Sequence, residues 1–478
     1  MPENSLSQKI AAVLDDARSE SGATSIGWAA FTPDGVVASG NDDTVFRMAS
    51  ITKQFTAAAV LGLVHQLIPA QRPLSLETTV AEYLPHADPA IAQATVADLL
   101  TMTSGLPNDD AWADRMESMS TQQFREIVAG PLFLAAPPQE TFTYSNLGYS
   151  ILGQAIEWAA GRPLQEVITH HVLRPAGMAQ ATLDYTEVPS ERLATGLHRR
   201  SPAQPIPAPL TGPGAFTPMA GLCTSTQELA RWGMLMLSAW EDTSAWAKVR
   251  KQLQQPRVML HPSSVEGRAI SSAYGYGLFI REEENYGRSV GHAGGYPGYG
   301  SHIQWHPNAK IGVAVAGNTT YFPAQKYALR ILRAWQDSEA YTPPPIPFMG
   351  ERPVTGLPVT EHARAVADQV TALIHTWDDA VAEQIFSPNM DLDWDRATRR
   401  DMLQHFAAAA DTITGPYWIS PVQAHWRAQT TGEEPEPSLP VLRMQLNPLG
   451  QIEILHLQEK DEGGSTHGSL SWAHKPEN

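Results

Sequence analysis

A serine and a lysine separated by one helical turn give the first chemical signal in the sequence. Ser50 and Lys53 stand in the run Ser50-Ile51-Thr52-Lys53, and Ser50 opens an apolar segment that predicts a helix buried at the centre of a domain. Residues three apart on a helix share a face, so the Lys53 amine can reach the Ser50 hydroxyl. A buried lysine amine can take or relay the serine proton, and the helix N-terminus favours an anion beside Ser50. Taken alone, the run equally fits an N-cap serine beside a surface lysine.

A second signal is Tyr144-Ser145-Asn146, which precedes a predicted helix. A tyrosine polarised by a lysine can act as general base and then as acid for a leaving group. The Asn146 amide can bind substrate and the lysine ammonium. The alternative for this run is a helix cap at Asn146 beside a packed tyrosine.

The third signal is His292-Ala293-Gly294-Gly295 at the end of a predicted strand. Gly294 and Gly295 let a substrate backbone or an oxyanion approach closely, and the Gly295 N–H can join that of Ser50 as an oxyanion hole. His292 can form a hydrogen bond near the attacked carbonyl or assist proton transfer. A glycine-rich hairpin edge is the alternative.

The order of these three signals resembles the family of class C β-lactamases, serine D-alanyl-D-alanine peptidases and related esterases and D-aminopeptidases. The resemblance covers roughly residues 5 to 340 and is carried by FRMASITKQFTAAAV, VADLLTMTSGLPN, FTYSNLGYSILG, AGLCTSTQELARWG, YGYGLF and GHAGGYPGYGSHIQWHPN. It implies an α/β fold, a sandwich of an antiparallel sheet flanked by helices with an all-α subdomain.

The resemblance also implies a role for each candidate residue. Ser50 is the nucleophile, Lys53 and Tyr144 transfer protons, and Asn146 contacts substrate and lysine. The amides of Ser50 and Gly295 form the oxyanion hole.

The sequence departs from the β-lactamase pattern at His292-Ala293-Gly294, where those enzymes carry Lys-Thr-Gly. That lysine helps to bind a β-lactam carboxylate, so its replacement resembles the esterase and D-aminopeptidase branches. We therefore expect a serine hydrolase of small esters, amides or short peptides that acts through an acyl-enzyme, in particular a D-stereoselective aminopeptidase, amidase or esterase. The alternatives are a β-lactamase, a D-Ala-D-Ala carboxypeptidase, a non-catalytic penicillin-binding-like sensor, or a main ligand-binding role for the C-terminal domain.

Composition along the chain predicts two domains joined by a linker. Residues 1–340 form the hydrolase domain, with helices between Pro73 and Met178. The proline-rich run Tyr341–His362 is the linker, and residues 363–478 form a small α+β domain that resembles a cystatin-like or NTF2-like cone. The predicted strands lie in both domains: Ser25–Phe31, Val36–Ala38, Tyr276–Ile280, Ser289–Gly291, His302–Trp305, Gly312–Ala316, Val422–Gln429, Val441–Leu446 and Ile452–Gln458.

Charge and cysteine content limit the binding partners and the cellular compartment that we expect for this chain. Thirty-three basic against 50 acidic residues give a net charge of −17, which disfavours nucleic acid and anionic membranes. The one cysteine, Cys223, permits a reducing compartment, and the N-terminus lacks a secretory pattern, so we expect a cytoplasmic protein without a membrane span. We expect no cofactor, because the sequence has no GxGxxG, P-loop or HExxH pattern. His302 and His306 would stand about 13 Å apart on a strand, too far to bind one metal.

Overall fold

The computed structural model separates the chain into two compact units, Met1–Ile346 and Pro347–Asn478. The structure describes residues 4–109, 113–198, 206–260, 263–265, 268–283, 287–336, 359–387, 390–391, 395–420, 422–429, 440–447 and 450–458.

A nine-stranded antiparallel sheet organises the first unit. Its order is β2-β1-β13-β12-β11-β10-β9-β7, with β8 also paired to β9, and two short pairs, β3 with β6 and β4 with β5, lie outside it. The strands are β1 (Ile26–Thr32), β2 (Gly35–Gly40), β3 (Phe46–Arg47), β4 (Leu197–His198), β5 (Ile206–Pro207), β6 (Cys223–Thr224), β7 (Val258–Met259), β8 (Ser263–Val265), β9 (Arg268–Tyr274), β10 (Phe279–Glu283), β11 (Gly287–Tyr296), β12 (Tyr299–His306) and β13 (Ile311–Gly317).

Helices cover both faces of this sheet, because alternate residues of each strand are apolar on opposite sides. On β13, Val313 and Val315 pack in one core with the first and last helices of the unit, whereas Ala314 and Ala316 belong to the larger core on the other face. The helices are α1 (Asn4–Ser21), α2 (Thr52–Val64), α3 (Val80–Tyr83), α4 (Pro89–Ala92), α5 (Val96–Leu100), α6 (Thr121–Ala129), α7 (Asn146–Ala160), α8 (Leu164–Ile168), α9 (Thr217–Ala220), α10 (Thr226–Leu237), α11 (Ala245–Leu253) and α12 (Ala324–Gln336).

The central helix α2 is buried on every side from Thr52 to Leu63. Its sequence, TKQFTAAAVLGLV, carries no polar stripe, as a helix enclosed by other elements requires. The buried lysine and polar residues of its first turn therefore need partners inside the protein.

The second unit has its own core around the fully buried Trp426. Among its described residues, the helices α13 (Glu361–His375), α14 (Asp379–Ile385) and α15 (Arg396–Ala408) accompany an antiparallel sheet in the order β14-β15-β16-β17. The strands are β14 (Thr412–Ser420), β15 (Gln423–Gln429), β16 (Val441–Leu446) and β17 (Ile452–Gln458).

Several predicted boundaries are wrong. The strand expected from Tyr276 begins at Phe279, because Gly277 has a positive φ of 75° inside a turn. Three C-terminal strands were expected and four are present, since the Gly415-Pro416 step inside β14 hides its strand pattern. The helix α13 begins at Glu361, inside the predicted linker, where the Thr360 hydroxyl caps it. Residues 337–358, which hold most of that linker, lie outside the described residues.

Candidate active site

The chain turns sharply just before the candidate nucleophile. β3 leads into a 3₁₀ turn, Ala49–Ile51, that continues as α2, and Ala49 has a left-handed φ of 48°. That conformation costs a residue with a side chain about 1–2 kcal/mol. The preceding Met48 is held on two sides, because its N–H donates to the Leu222 carbonyl at 2.8 Å and its carbonyl accepts from Ser301 Oγ at 2.7 Å. The backbone at Ser50 is therefore fixed before any substrate arrives.

Lys53 is fully buried, and its amine lies within hydrogen-bonding distance of oxygens from three parts of the chain. Its Nζ lies 2.9 Å from Ser50 Oγ, 2.6 Å from Asn146 Oδ1 and 3.1 Å from the Met219 carbonyl oxygen. The last two atoms can only accept hydrogen bonds. Each consequently accepts an N–H of the amine, and the two bonds hold the amine beside the serine hydroxyl.

This arrangement satisfies either protonation state of Lys53. The ammonium donates its third N–H to Ser50 Oγ, whereas the neutral amine offers its lone pair to the Ser50 O–H. A proton can thus move between the two groups without any rearrangement of heavy atoms. Such a pair can generate a serine alkoxide and later return the proton.

Tyr144 lies beside the same amine. The centre of its ring is 4.9 Å from Lys53 Nζ and 6.2 Å from the centre of the His292 ring. The half-buried tyrosine packs against the main core, so a third candidate residue from a separate stretch of sequence meets Ser50 and Lys53.

Asn146 is positioned by the N-terminus of α7. Ser145, rather than Asn146, is the cap, and its Oγ accepts from the Gly148 N–H at 3.2 Å. The Asp109 carboxylate accepts from the N–H groups of Asn146 and Leu147, each at 2.8 Å. Sequence reasoning missed Asp109, because nothing in the sequence marks a loop carboxylate that lies 37 residues before its partner.

Gly294 and Gly295 of β11 are both in close contact with other residues. A Cβ on Gly294 would lie 2.2 Å from the Met48 carbonyl oxygen and 2.5 Å from Ser301 Oγ. A Cβ on Gly295 would lie 2.7 Å from Cδ1 of Tyr321. The absence of side chains here lets β11 approach the turn that carries Ser50.

His292 is buried and uncharged. Its Nδ1 lies 2.6 Å from the Ala293 carbonyl oxygen and its Nε2 is 3.4 Å from the Tyr274 hydroxyl. Burial, reinforced by the charge of Lys53, lowers the pKa of His292 to about 3. The position that carries a cationic lysine in β-lactamases therefore holds a neutral imidazole here.

A second buried polar cluster, which sequence reasoning also missed, joins β3 to β11. Arg47 and Glu117 are each 1% exposed and form an ion pair. The Tyr296 hydroxyl donates to Glu117 Oε2 at 2.8 Å, and the guanidinium lies 4.5 Å from the centre of the Tyr296 ring. Burial raises the pKa of the Glu117 carboxyl, and the Arg47 guanidinium opposes that effect. The pair fixes the strand that leads to the nucleophile turn.

Cys223 lies opposite Arg47 in the pairing of β3 with β6 and is fully buried. Burial raises the pKa of its thiol to about 12, so the reactive thiolate is scarce at neutral pH. Cys223 therefore offers no competing nucleophile.

No cluster of metal-ligating side chains occurs in the part of the chain that the structure describes. Among the same residues, none of the helices has the length and apolar character to cross a bilayer.

Comparison with known proteins places this site in a family. Residues 11–334 match the sequence profile of the Beta-lactamase family. Protein flp of Staphylococcus aureus strain MW2 is 28% identical over 282 residues, which are 58% of this chain and 53% of that protein. Unguisins hydrolase ungD' of Aspergillus campestris strain IBT 28561 is 25% identical over 291 residues, with the same two shares. The chain thus spans about half the length of the curated relatives it matches.

A solved structure has the same fold. The octameric penicillin-binding protein homologue from Pyrococcus abyssi has a TM-score of 0.61 and 20% identity, and the match covers 95% of this chain and 96% of that one. The predicted α/β sandwich with a small C-terminal sheet domain is thereby confirmed. Because the family profile matches most of its length, the chain belongs to the beta-lactamase family, whose members are generally serine hydrolases.

Proposed function

We propose that this chain is a serine hydrolase that forms an acyl-enzyme on Ser50. The observation that carries the proposal is the 2.9 Å contact between Lys53 Nζ and Ser50 Oγ, made by a lysine without solvent exposure. A lysine with a purely structural role would not need a hydroxyl group at this turn. A proton-transfer pair needs both the amine and the hydroxyl.

The proposed reaction begins when Ser50 Oγ attacks the substrate carbonyl and gives its proton to Lys53 or, through that amine, to Tyr144. The amides of Ser50 and Gly295 are the proposed donors to the resulting oxyanion. The leaving group departs with a proton from Tyr144 or Lys53, and the acyl group stays on Ser50. Water, deprotonated by the same residues, then releases the acid. Asn146 holds the amine and contacts the substrate.

A neutral His292 and two nearby acidic side chains are the basis for proposing substrates without a carboxylate. His292 is neutral, with a pKa of about 3, so it gives an anion no ionic partner. Two acidic side chains lie near the site: Asp109 accepts from the Asn146 N–H, and Asp114 accepts from the hydroxyl of Tyr321, which lies beside Gly295. We infer that small esters, amides and short peptides with a neutral or cationic acyl portion are preferred over β-lactams, with D-stereoselective aminopeptidase, amidase or esterase activity.

The name of one similar protein, an unguisins hydrolase, agrees with hydrolysis as the reaction. A cytoplasmic location is part of the proposal. It is supported by a chain with a single, buried cysteine, which needs no oxidising compartment.

Incubation with a fluorophosphonate followed by intact mass measurement tests the nucleophile. We expect one adduct on the wild-type protein, none on Ser50→Ala, and an unchanged adduct on Ser19→Ala, which removes an exposed serine of α1. Wild-type protein that is not labelled and hydrolyses no ester or amide would favour the sensor alternative instead.

Substrate class is tested by comparing kcat/KM for p-nitrophenyl acetate, the p-nitroanilides of D-alanine and L-alanine, and a chromogenic cephalosporin. We expect an ester or the D-alanine anilide to exceed the cephalosporin by about tenfold or more. A cephalosporin that is the best substrate would contradict the assignment based on His292.

A further inference from the structure

Tyr321 is an exposed aromatic residue in a strained backbone conformation. It follows β13, its side chain is 53% exposed, and its φ of 51° is left-handed. Its N–H donates to the carbonyl oxygens of Tyr296 and Tyr299, at 3.3 and 3.1 Å. Strain of this kind persists where the surrounding structure enforces it, and it is enriched at functional sites.

The side chain of Tyr321 is anchored at both of its ends. Its ring lies against Gly295, as the 2.7 Å approach of a hypothetical Cβ shows. Its hydroxyl donates to Asp114 Oδ2 at 2.8 Å, and Asp114 is only 6% exposed. Asp114 belongs to the segment before α6, 207 positions earlier in the chain. The ring is thus held beside the proposed oxyanion donor by a bond from the helical subdomain.

The chemistry of the site indicates which part of a substrate meets this ring. The group that protonates a leaving group must lie beside it, and Tyr144 lies next to Lys53 and His292. Gly295 is three residues further along β11, or about 10 Å from His292. The acyl portion of the substrate consequently extends toward Gly295 and Tyr321.

We propose that Tyr321 is a specificity-determining residue that limits the length of the acyl group, with Asp114 as the residue that positions it. This inference rests on the proposed acyl-enzyme function and adds the size of the substrate. An anchored ring at the end of the acyl site admits acetyl-sized groups and obstructs long ones.

The test measures kcat/KM for p-nitrophenyl acetate, butyrate and octanoate with the full chain. We expect Tyr321→Ala to raise the ratio of octanoate to acetate by about tenfold, and Tyr321→Phe to give an intermediate ratio because the ring stays and the anchor is lost. Tyr417→Ala, which truncates a 44% exposed tyrosine of the second unit, is the matched control and should leave the ratio unchanged.

Asp114 is tested by rescue. Asp114→Ala should lower KM for the octanoate while kcat stays within about twofold, whereas Asp114→Asn keeps an acceptor oxygen and should behave like the wild type. A Tyr321→Phe ratio equal to that of the wild type, or equal effects of the two Asp114 variants, would overturn the positioning role.

A second substrate series distinguishes effects at the acyl end of the site from effects at the leaving-group end. With acetate as the common acyl group and p-nitrophenyl, phenyl and naphthyl leaving groups, Tyr321→Ala should not change the ratios. An unchanged acyl ratio, or a changed leaving-group ratio, in an enzyme that still hydrolyses the acetate would refute the role of Tyr321 and leave the proposed function standing. A wild type that hydrolyses none of the esters and is not labelled at Ser50 would refute both.

Discussion

Lys53 has its three contacts on three different parts of the chain: its own turn, the start of α7 and the carbonyl at the end of α9. Loss of either acceptor other than serine would remove a hydrogen bond from a buried amine, at a cost of about 1–3 kcal/mol. The amine is therefore positioned by the fold rather than by the substrate. Pre-organisation of this kind is what an acid–base group needs in order to act quickly.

Tyr144→Phe tests the phenol at this site. The substitution keeps the ring beside Lys53 and removes only the group that carries a proton, so we expect turnover to fall by about 10² or more with folding unchanged. Steady-state hydrolysis of p-nitrophenyl acetate, with circular dichroism for the fold, measures both. Tyr417→Phe is the control, and activity within twofold of the wild type in Tyr144→Phe would remove Tyr144 from proton transfer.

At the scale of single residues, the sequence predicts the candidates that have side-chain chemistry at recognisable spacings. Ser50 and Lys53 are one helical turn apart, so their contact follows from helix geometry alone. The Met219 carbonyl cannot be predicted in this way, because every residue has a carbonyl and only the tertiary fold selects one. Tyr321 cannot be predicted for a related reason: in the sequence, nothing distinguishes it from any other tyrosine in a loop, and its left-handed backbone is visible only in the structure.

At the scale of elements, the N-terminus of α7 carries Asn146 to the site. Asp109 adds a negative charge and two accepted hydrogen bonds where the helix has unpaired N–H groups. The helix start is thus held by a loop residue in addition to its Ser145 cap.

We expect Asp109→Ala to cost about 1–2 kcal/mol of unfolding free energy and also to lower kcat, because Asn146 loses its support. Asp88→Ala is the matched control: Asp88 accepts from the Ala90 N–H at the start of α4. It should cost similar stability without changing kcat. Urea unfolding and ester hydrolysis measure the two quantities, and equal kcat in both variants would show that Asp109 does not position the site.

Helices and strands with a strong hydrophobic periodicity could be predicted from the sequence. Strands that form only by pairing with a neighbouring strand could not. α6, at Thr121–Ala129, lies in the region between Pro73 and Met178 that was expected to be helical, and its apolar residues recur at helical spacing. The strands β7 to β9 were not expected, since residues such as Ser263–Val265 and Arg268–Tyr274 are polar or mixed and become strands only by pairing at the sheet edge. The short strands Leu197–His198 and Ile206–Pro207 were likewise not among the predicted strands, and they too are defined by their pairing.

At the scale of the whole molecule, buried neutral histidines link stability to pH. His302 is 2% exposed, its Nε2–H donates to Gln304 Oε1 at 3.1 Å, and its Nδ1 has no hydrogen-bond partner among the described residues. Burial lowers the pKa of His302 from its ordinary 6.5 to about 4, against the opposing effect of Gln304. A proton on Nδ1 would have no acceptor within the described structure.

The folded pKa of His302 lies below the unfolded one, so the unfolded chain binds the additional proton as pH falls from 6.5 to about 4. Stability from this residue is complete above pH 6.5 and decreases through that window, by up to about 3 kcal/mol at about 1.4 kcal/mol per pKa unit. We expect the drop in melting temperature between pH 7.5 and pH 5 to be smaller in His302→Gln than in the wild type. His375→Gln, at an exposed position of α13, is the control, and identical drops in all three proteins would contradict the assignment.

The burial of the lone Cys223 makes the molecule suitable for site-specific reporters. With its thiol enclosed and a pKa near 12, maleimide probes have little native sulfur to modify in the folded protein. A thiol introduced at the exposed position 321 would then carry a single fluorophore at the proposed acyl end of the cleft. Its emission would follow acylation of Ser50 in real time, without any prior removal of the natural cysteine.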